Sequence, residues 1–177
     1  MSKILTVIKS EKKFKELSGS LSGKGQHAII ETIKALRDDE PFEGAIGLLS
    51  ELYDATEDRA IKKTIEEFLN DIKDQGARPE IITEVRRPWK QDTLGMLVAS
   101  CWQSGLDYSD YLTELVHTFL EGSYTTAIEC MTVIDEAADK CETVKKKEII
   151  RMIEESPLSG LNEKSALTLE LISILER

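Results

Sequence analysis

The chain has 177 residues, of which 41% are hydrophobic and 32% are charged, and its formal net charge is −10. This length predicts a single domain over residues 1–177 that buries about two-thirds of the surface of the unfolded chain. The content of Leu, Ile and Val argues against a disordered chain, and the longest uncharged run, residues 93–106, is too short to span a membrane.

Helical periodicity runs through almost the whole chain. Apolar residues recur three or four positions apart, which marks one face of an amphipathic helix. Leu167, Leu169 and Leu171 alternate as in a strand, but the sequence offers no second strand to pair with them. We therefore predict ten helices, over residues 2–17, 24–38, 42–54, 57–74, 79–86, 88–104, 108–120, 123–139, 143–155 and 162–176.

Residues that cap or break helices support these boundaries. Thr56 is the predicted N-cap of the fourth helix, with Glu57 and Asp58 in the first turn, where the helix dipole favours negative charge. Gly19 and Gly25 are assigned to a linker between the first two helices. The remaining linkers are mostly short, so consecutive helices are expected to be antiparallel.

The even-numbered helices repeat an apolar triplet with the spacing i, i+4, i+7. The steps from one triplet to the next are 32, 33, 33 and 40 residues. A unit of two helices per repeat cannot bury its own apolar face, so it has to stack on its neighbours. We therefore predict an all-α superhelix of about five antiparallel helical pairs. The triplets are Ile29/Ile33/Leu36, Ile61/Ile65/Phe68, Leu94/Val98/Cys101, Ala127/Met131/Ile134 and Leu167/Leu171/Ile174.

One segment carries a resemblance to a known family. The tetratricopeptide and ankyrin signatures are missing from the sequence. The run from Arg87 to Leu112 resembles small uncharacterised bacterial proteins with HEAT-like repeats, and the similarity extends over residues 42–140. The resemblance implies a HEAT/armadillo-like stack of helices that binds a partner, and it brings no catalytic residues.

Motifs for catalysis or cofactor binding are not found in the sequence. The three cysteines, Cys101, Cys130 and Cys141, form no C-x-x-C pair, which favours a reducing cytoplasm over a disulfide framework. Glu114 and His117 have the E-x-x-H spacing of di-iron helical proteins, but a second such motif is absent. No phosphate-binding loop or nucleophile motif occurs. We predict no enzymatic activity, no cofactor and no metal.

A short basic cluster raises the alternative of a nucleic-acid-associated protein. Arg86, Arg87, Trp89 and Lys90 place cations beside an aromatic ring, as a contact to phosphate and base requires. Some HEAT-like DNA glycosylases would be a precedent for this function. However, residues 38–77 carry four basic and twelve acidic side chains and residues 101–142 carry one and nine, a balance of −8 in each segment. Because a polyanion needs several basic contacts, a nucleic acid is the less favoured partner.

The central helices carry little charge on the face expected to be concave. Lys62, Lys63, Glu66 and Glu67 correspond, 33 residues later, to Gly95, Met96, Ala99 and Ser100, and 66 residues later to Ile128, Glu129, Thr132 and Val133. A patch of low charge is typical of protein-binding surfaces. The alternative is that these residues are core, because neighbouring helices enclose the central one.

The favoured hypothesis is a non-enzymatic scaffold or adaptor in the cytoplasm that binds a protein or peptide and has no membrane association. Its predicted partner-binding residues are Arg86, Arg87, Trp89, Lys90, Met96, Ser100, Thr132 and Val133.

Overall fold

The computed structural model describes residues 2–22, 25–38, 42–159 and 164–177, with side chains from Ser10 onward. This part of the chain contains ten α-helices and no strand, so the prediction of an all-α protein is confirmed. Short 3₁₀ helices follow α2 and precede α5 and α7. The helices are α1 (Ser2–Leu21), α2 (Gln26–Ala35), α3 (Ala45–Ala55), α4 (Arg59–Asn70), α5 (Arg78–Val85), α6 (Gln91–Gln103), α7 (Leu112–Glu121), α8 (Tyr124–Ala138), α9 (Thr143–Glu155) and α10 (Ser165–Glu176).

The even-numbered helices contact one another in chain order. Helix α2 packs on α4, α4 on α6, α6 on α8 and α8 on α10. Among the odd-numbered helices, α1 packs on α3, α3 on α5 and α7 on α9. The central residues of four of the apolar triplets, Ile33, Ile65, Val98 and Leu171, are fully buried. The periodic apolar faces therefore form one buried cluster that runs from α1 to α10.

Polar contacts between successive helical pairs join residues about one repeat apart. The Gln26 amide donates to the Asp58 carboxylate at 2.7 Å, across 32 residues of sequence. The Asn70 amide donates to the Gln103 amide oxygen, across 33 residues. The Lys145 ammonium donates to the backbone carbonyl of Asp110 at 2.8 Å, across 35 residues. Residues 32 to 35 positions apart in the chain are thus in direct contact.

The first turn of α3 is completed by a side chain from α5. Gly44, the N-cap residue, has a φ of +94°, and a Cβ there would lie 2.7 Å from the Phe14 ring, so only glycine fits. The Glu80 carboxylate accepts the backbone N–H groups of Gly44, Ile46 and Gly47 at 3.1, 2.9 and 3.2 Å. Burial raises the pKa of Glu80, and the three N–H donors oppose that rise only in part.

Several boundaries differ from the prediction. Helix α1 continues through Gly19 to Leu21, so the predicted linker is shorter. The assignment of Thr56 as the N-cap of α4 is wrong, because Thr56 ends α3 in an extended conformation. Asp58 is the N-cap, and its carboxylate accepts the N–H groups of Ala60 and Ile61. The predicted helix starts at residues 24 and 162 lie outside the described residues.

None of the helices in the described ranges is both long enough and apolar enough to cross a membrane.

Candidate binding groove

A groove of about 440 Å³ lies on the surface formed by three even-numbered helices, α4, α6 and α8. Helix α6 supplies its floor, while α4 and the amino-terminal half of α8 supply its two walls. The residues that line it are Tyr53, Glu66, Asn70, Gln91, Asp92, Gly95, Met96, Ala99, Gln103, Ser123, Thr125, Thr126 and Glu129.

Small side chains on α6 keep the groove open. Gly95 and Ala99 are the small residues, and they share one face of the helix with Gln103 because the three follow at steps of four. A Cβ built on Gly95 would meet no atom within 4 Å, which shows that the space above this residue is empty. The walls continue this pattern, because Glu66 and Asn70 on α4 and Thr125 and Glu129 on α8 are also pairs four residues apart.

The groove is acidic. Glu66, Asp92 and Glu129 come from three different helices, and among the described residues no Lys, Arg or His side chain lines it. Asp92 lies in the first turn of α6, where the helix dipole stabilises a carboxylate. One cation adjoins the groove at its edge, where the Lys62 ammonium stacks 4.9 Å from the centre of the Tyr53 ring.

Two of these carboxylates are held by neutral aromatic donors. The Tyr53 hydroxyl donates to Glu66 Oε1, and Trp102 Nε1 donates to Glu129 Oε2, each at 2.7 Å. Burial, together with the nearby Glu66 carboxylate, raises the pKa of Tyr53, so this donor keeps its proton at neutral pH. Hydrogen bonds from uncharged side chains therefore hold Glu66 and Glu129 in place.

The structure corrects two of the predicted partner-binding residues. Ser100 is 0% exposed and Val133 is 2% exposed, so neither can contact a partner. Ser100 is displaced by about 100° around α6 from Ala99, and its hydroxyl donates to the Leu97 carbonyl within the core. For these two positions the alternative interpretation as core residues is right.

Met96 is a third predicted residue that the structure corrects, because it is 8% exposed and belongs to the buried core cluster, although it borders the groove. Thr132 is half-buried on α8, one turn beyond Ile128, and its hydroxyl donates to the Ile128 carbonyl. Gly95 and Ala99 form the open part of this face, and the three carboxylates that line the same groove make it acidic rather than low in charge, so that part of the prediction is wrong.

The basic cluster, residues 86–90, forms a corner between α5 and α6 in which Arg87 is already partnered. Its guanidinium lies 2.9 Å from the Glu84 carboxylate and 3.2 Å from that of Glu51. It also stacks 4.4 Å from the centre of the Trp89 ring, and Trp89 Nε1 donates to the Glu84 carbonyl at 2.8 Å. These contacts join α3, α5 and the corner, while the Arg87 side chain remains 42% exposed.

Lys90 at the same corner is tied to α3. Its ammonium lies 4.0 Å from Asp54 Oδ2, and its backbone N–H donates to Asp54 Oδ1 at 3.0 Å. The Thr93 hydroxyl donates to the same Asp54 oxygen at 2.7 Å, and this bond lowers the pKa of the carboxyl. Arg86 is exposed. None of residues 86–90 lines the groove, so the structure does not gather the predicted residues into one site.

Two of the three cysteines, Cys101 and Cys130, are buried. Burial raises the pKa of the Cys101 thiol to about 12 and also raises that of Cys130, so both stay protonated and unreactive at neutral pH. Within the described ranges, no group of three or more His, Cys, Asp or Glu side chains could hold a metal ion. His117 is exposed and Glu114 is half-buried.

A second, larger cavity of about 1040 Å³ lies among α3, α4, α5 and the end of α2, beside Phe42 and Phe68. Residues 36–37 and 42–46 contribute to its lining, and residues 39–41 between them lie outside the described residues. The acidic groove is therefore the better defined site.

Sequence reasoning did not select the three groove carboxylates, because residues 66, 92 and 129 are far apart in the chain. One signal was available: Gly95 and Ala99 stand where the preceding repeat has Lys62 and Glu66, and this loss of bulk marks the open floor. No protein-family model matches the chain, and comparisons with curated proteins and with solved structures gave no match either.

Proposed function

We propose that this chain is a non-enzymatic binding protein whose acidic groove holds a segment of a partner protein. We further propose that its helices form a HEAT/armadillo-like superhelix of about five antiparallel pairs. The single observation that carries the binding function is the open groove over Gly95, to which three helices contribute both polar groups and carboxylates.

Three observations support the superhelix. The even-numbered helices touch in chain order from α2 to α10. The apolar triplets recur at steps of 32 or 33 residues through the first four units, and polar contacts between units join residues 32 to 35 positions apart. In stacked helical pairs, one layer of helices forms an extended surface for binding, and the groove lies on such a layer.

The chemistry of the groove supports binding rather than catalysis or nucleic-acid contact. Its carboxylates would repel a phosphate backbone, while Arg87 and Lys90 at the corner already have acidic partners within the protein. The cysteines of the chain are free, which supports a cytoplasmic location as part of the proposal.

The test is to fill the groove without disturbing the fold. Gly95→Trp places a bulky ring in empty space and replaces a helical glycine, so the protein should remain folded. Gly19→Trp is the matched control, because Gly19 lies within α1, where a Cβ also meets nothing within 4 Å.

Proteins captured from cell extract by the wild type and by the control, but not by Gly95→Trp, would be purified and their affinities measured by calorimetry. We expect a partner that binds the wild type and Gly19→Trp equally and loses at least about tenfold in affinity for Gly95→Trp. A purified partner that binds Gly95→Trp as tightly as the wild type would show that the groove is not the binding site.

A further inference from the structure

We infer that the groove selects a basic amphipathic segment, with Lys or Arg side chains that meet the three carboxylates and apolar side chains that rest on the exposed side of α8. This inference rests on the proposed function and names the chemistry of the partner. It follows from the charge of the groove and from the apolar surface beside it.

The charge complementarity is local to the groove. Glu66, Asp92 and Glu129 face one cleft, whose other polar groups are amides and hydroxyls. A carboxylate accepts up to about four hydrogen bonds, and the Tyr53 and Trp102 donors occupy one oxygen each of Glu66 and Glu129. Acceptor capacity remains for an ammonium or guanidinium group. Such charge-assisted bonds are stronger than those between neutral groups.

The apolar half of the surface lies on the outer side of α8. Tyr124 and Ile128 are 41% and 39% exposed and stand four residues apart on one side of the helix. Thr125 and Glu129 on the same helix line the groove. Ile128 is turned about 100° from Glu129 and points away from the buried side of α8. A segment lying over α8 would therefore meet carboxylates on one flank and apolar side chains on the other.

The net charge argues for a different protein rather than a second copy of this chain. Two copies, each with a net charge of −10, repel one another at long range. A basic partner is attracted by the same field and guided towards the groove. Self-association through the basic residues of the first 37 positions, eight Lys/Arg against three Glu, is the competing occupant that the experiment has to exclude.

The experiment uses a fluorescein-labelled amphipathic helical peptide, with Lys on one face and Leu on the other. In a second peptide, Gln replaces every Lys. The groove variant combines Glu66→Gln, Asp92→Asn and Glu129→Gln. These changes remove three charges but keep the acceptor oxygens for Tyr53 and Trp102. The matched control is Glu121→Gln, Glu148→Gln and Glu154→Gln, which removes three charges from exposed residues of α7 and α9.

Fluorescence anisotropy at ~50 mM salt, where charges are weakly screened, measures each affinity. We expect the Lys peptide to bind the wild type, and its affinity to fall about tenfold in the groove variant and less than about twofold in the surface control. Equal losses in the two variants would show that net charge alone attracts the peptide and would overturn the inference. Failure of the Lys peptide to bind the wild type would also overturn it.

Two further measurements separate this inference from the proposed function. If the Gln peptide binds as tightly as the Lys peptide, and Gly95→Trp abolishes both, the groove binds peptides without selecting charge. If neither peptide is affected by Gly95→Trp, the proposed function itself fails. Light scattering of the wild type at increasing concentration should show a monomer, and a dimer that the groove variant dissociates would identify a second copy as the occupant.

Discussion

Two charged regions lie next to each other on this protein and differ in how their charges are partnered. At the corner between α5 and α6, Arg87 faces the Glu51 and Glu84 carboxylates, and Lys90 faces Asp54. In the groove, Glu66 and Glu129 receive hydrogen bonds from uncharged rings. The corner uses its charges to hold helices together, whereas none of the described residues that line the groove is a cation that could pair with its carboxylates.

This difference shows that a cluster of charges in the sequence does not tell whether the fold pairs those charges with opposite ones. The cluster is easy to recognise in the sequence, because four of its five residues are basic or aromatic. In the folded protein, however, Arg87 and Lys90 form ion pairs with acidic side chains of the same chain. The groove residues come from three helices and become neighbours only after folding. Whether a charged side chain is free to bind another molecule depends on whether the fold already gives it a partner of opposite charge. The following variants test this distinction, from the largest expected effect to the smallest.

The border between core and groove should run between two adjacent residues of α6. Ser100→Glu would bury an unpaired carboxylate and should lower the free energy of unfolding by about 3–5 kcal/mol. Ala99→Glu places its carboxylate in the open groove and should cost less than about 1 kcal/mol. Urea denaturation followed by circular dichroism measures both, and similar losses would mean that the groove floor is closed.

Removal of the Glu80 carboxylate should destabilise the protein, because this group bonds the first turn of α3. Glu80→Ala leaves three N–H groups at the start of α3 without their acceptor and should lower the free energy of unfolding by about 2 kcal/mol. Glu80→Gln retains an acceptor oxygen and should lose less than half as much. Thermal and urea unfolding of the two variants would contradict the assignment if Gln were as damaging as Ala.

The same carboxylate should give the stability a pH dependence of predictable sign. The pKa of Glu80 is raised in the folded state above its usual value of 4.5, so the folded state binds this proton more tightly than the unfolded state. The stabilisation from this tighter proton binding is fully present below pH 4.5, the usual pKa. It is lost as the pH rises through the higher pKa of Glu80 in the folded state. The wild type should therefore lose stability relative to Glu80→Gln as the pH rises through that window, and the opposite slope in parallel urea titrations would refute it.

Arg87 and Glu129 should show opposite effects on stability and on binding. Arg87→Ala removes two ion pairs and the stacking on Trp89, so unfolding should become easier by about 1 kcal/mol while the affinity for a groove ligand is unchanged. Glu129→Gln keeps the hydrogen bond from Trp102, so the free energy of unfolding should not change, while the affinity for the Lys peptide should fall. A loss of peptide affinity in Arg87→Ala would place the corner in the interface.

The smallest expected effect is an increase in the free energy of unfolding. Gly95→Ala replaces a glycine within α6 at a position with free space and should raise the free energy of unfolding by about 0.5 kcal/mol. Gly19→Ala within α1 should act in the same direction. Chemical denaturation of both proteins would show a loss at Gly95 if a side chain already occupied the groove.

The helices were predictable because their information is local. The i, i+4, i+7 triplets mark the buried face of each even-numbered helix, and Ile33, Ile65 and Val98 are fully buried as expected. Helix ends were harder to predict. The first turn of α3 is completed by Glu80 from another helix, and no rule based on neighbouring residues can find such a partner.

The groove was only partly predictable for the same physical reason. The proposed repeat of 33 residues predicts which helices correspond, but a shift of one residue rotates a side chain by about 100° around the helix. That rotation separates the open Ala99 from the buried Ser100. The carboxylates were missed because no spacing relates residues 66, 92 and 129, and only the packing of α4, α6 and α8 brings them together.

The bond between Glu80 and the start of α3 has a consequence for how the protein unfolds. A terminus of one helical pair is satisfied by a side chain of the next pair, so opening α5 also exposes unbonded amides in α3. Stacked repeats can unfold piecemeal when their units are independent. Because Glu80 of α5 bonds the first turn of α3, local unfolding of α5 should also destabilise α3. We therefore expect the first half of the chain to unfold cooperatively. A fragment that ends before Glu80 should not form a stable α3.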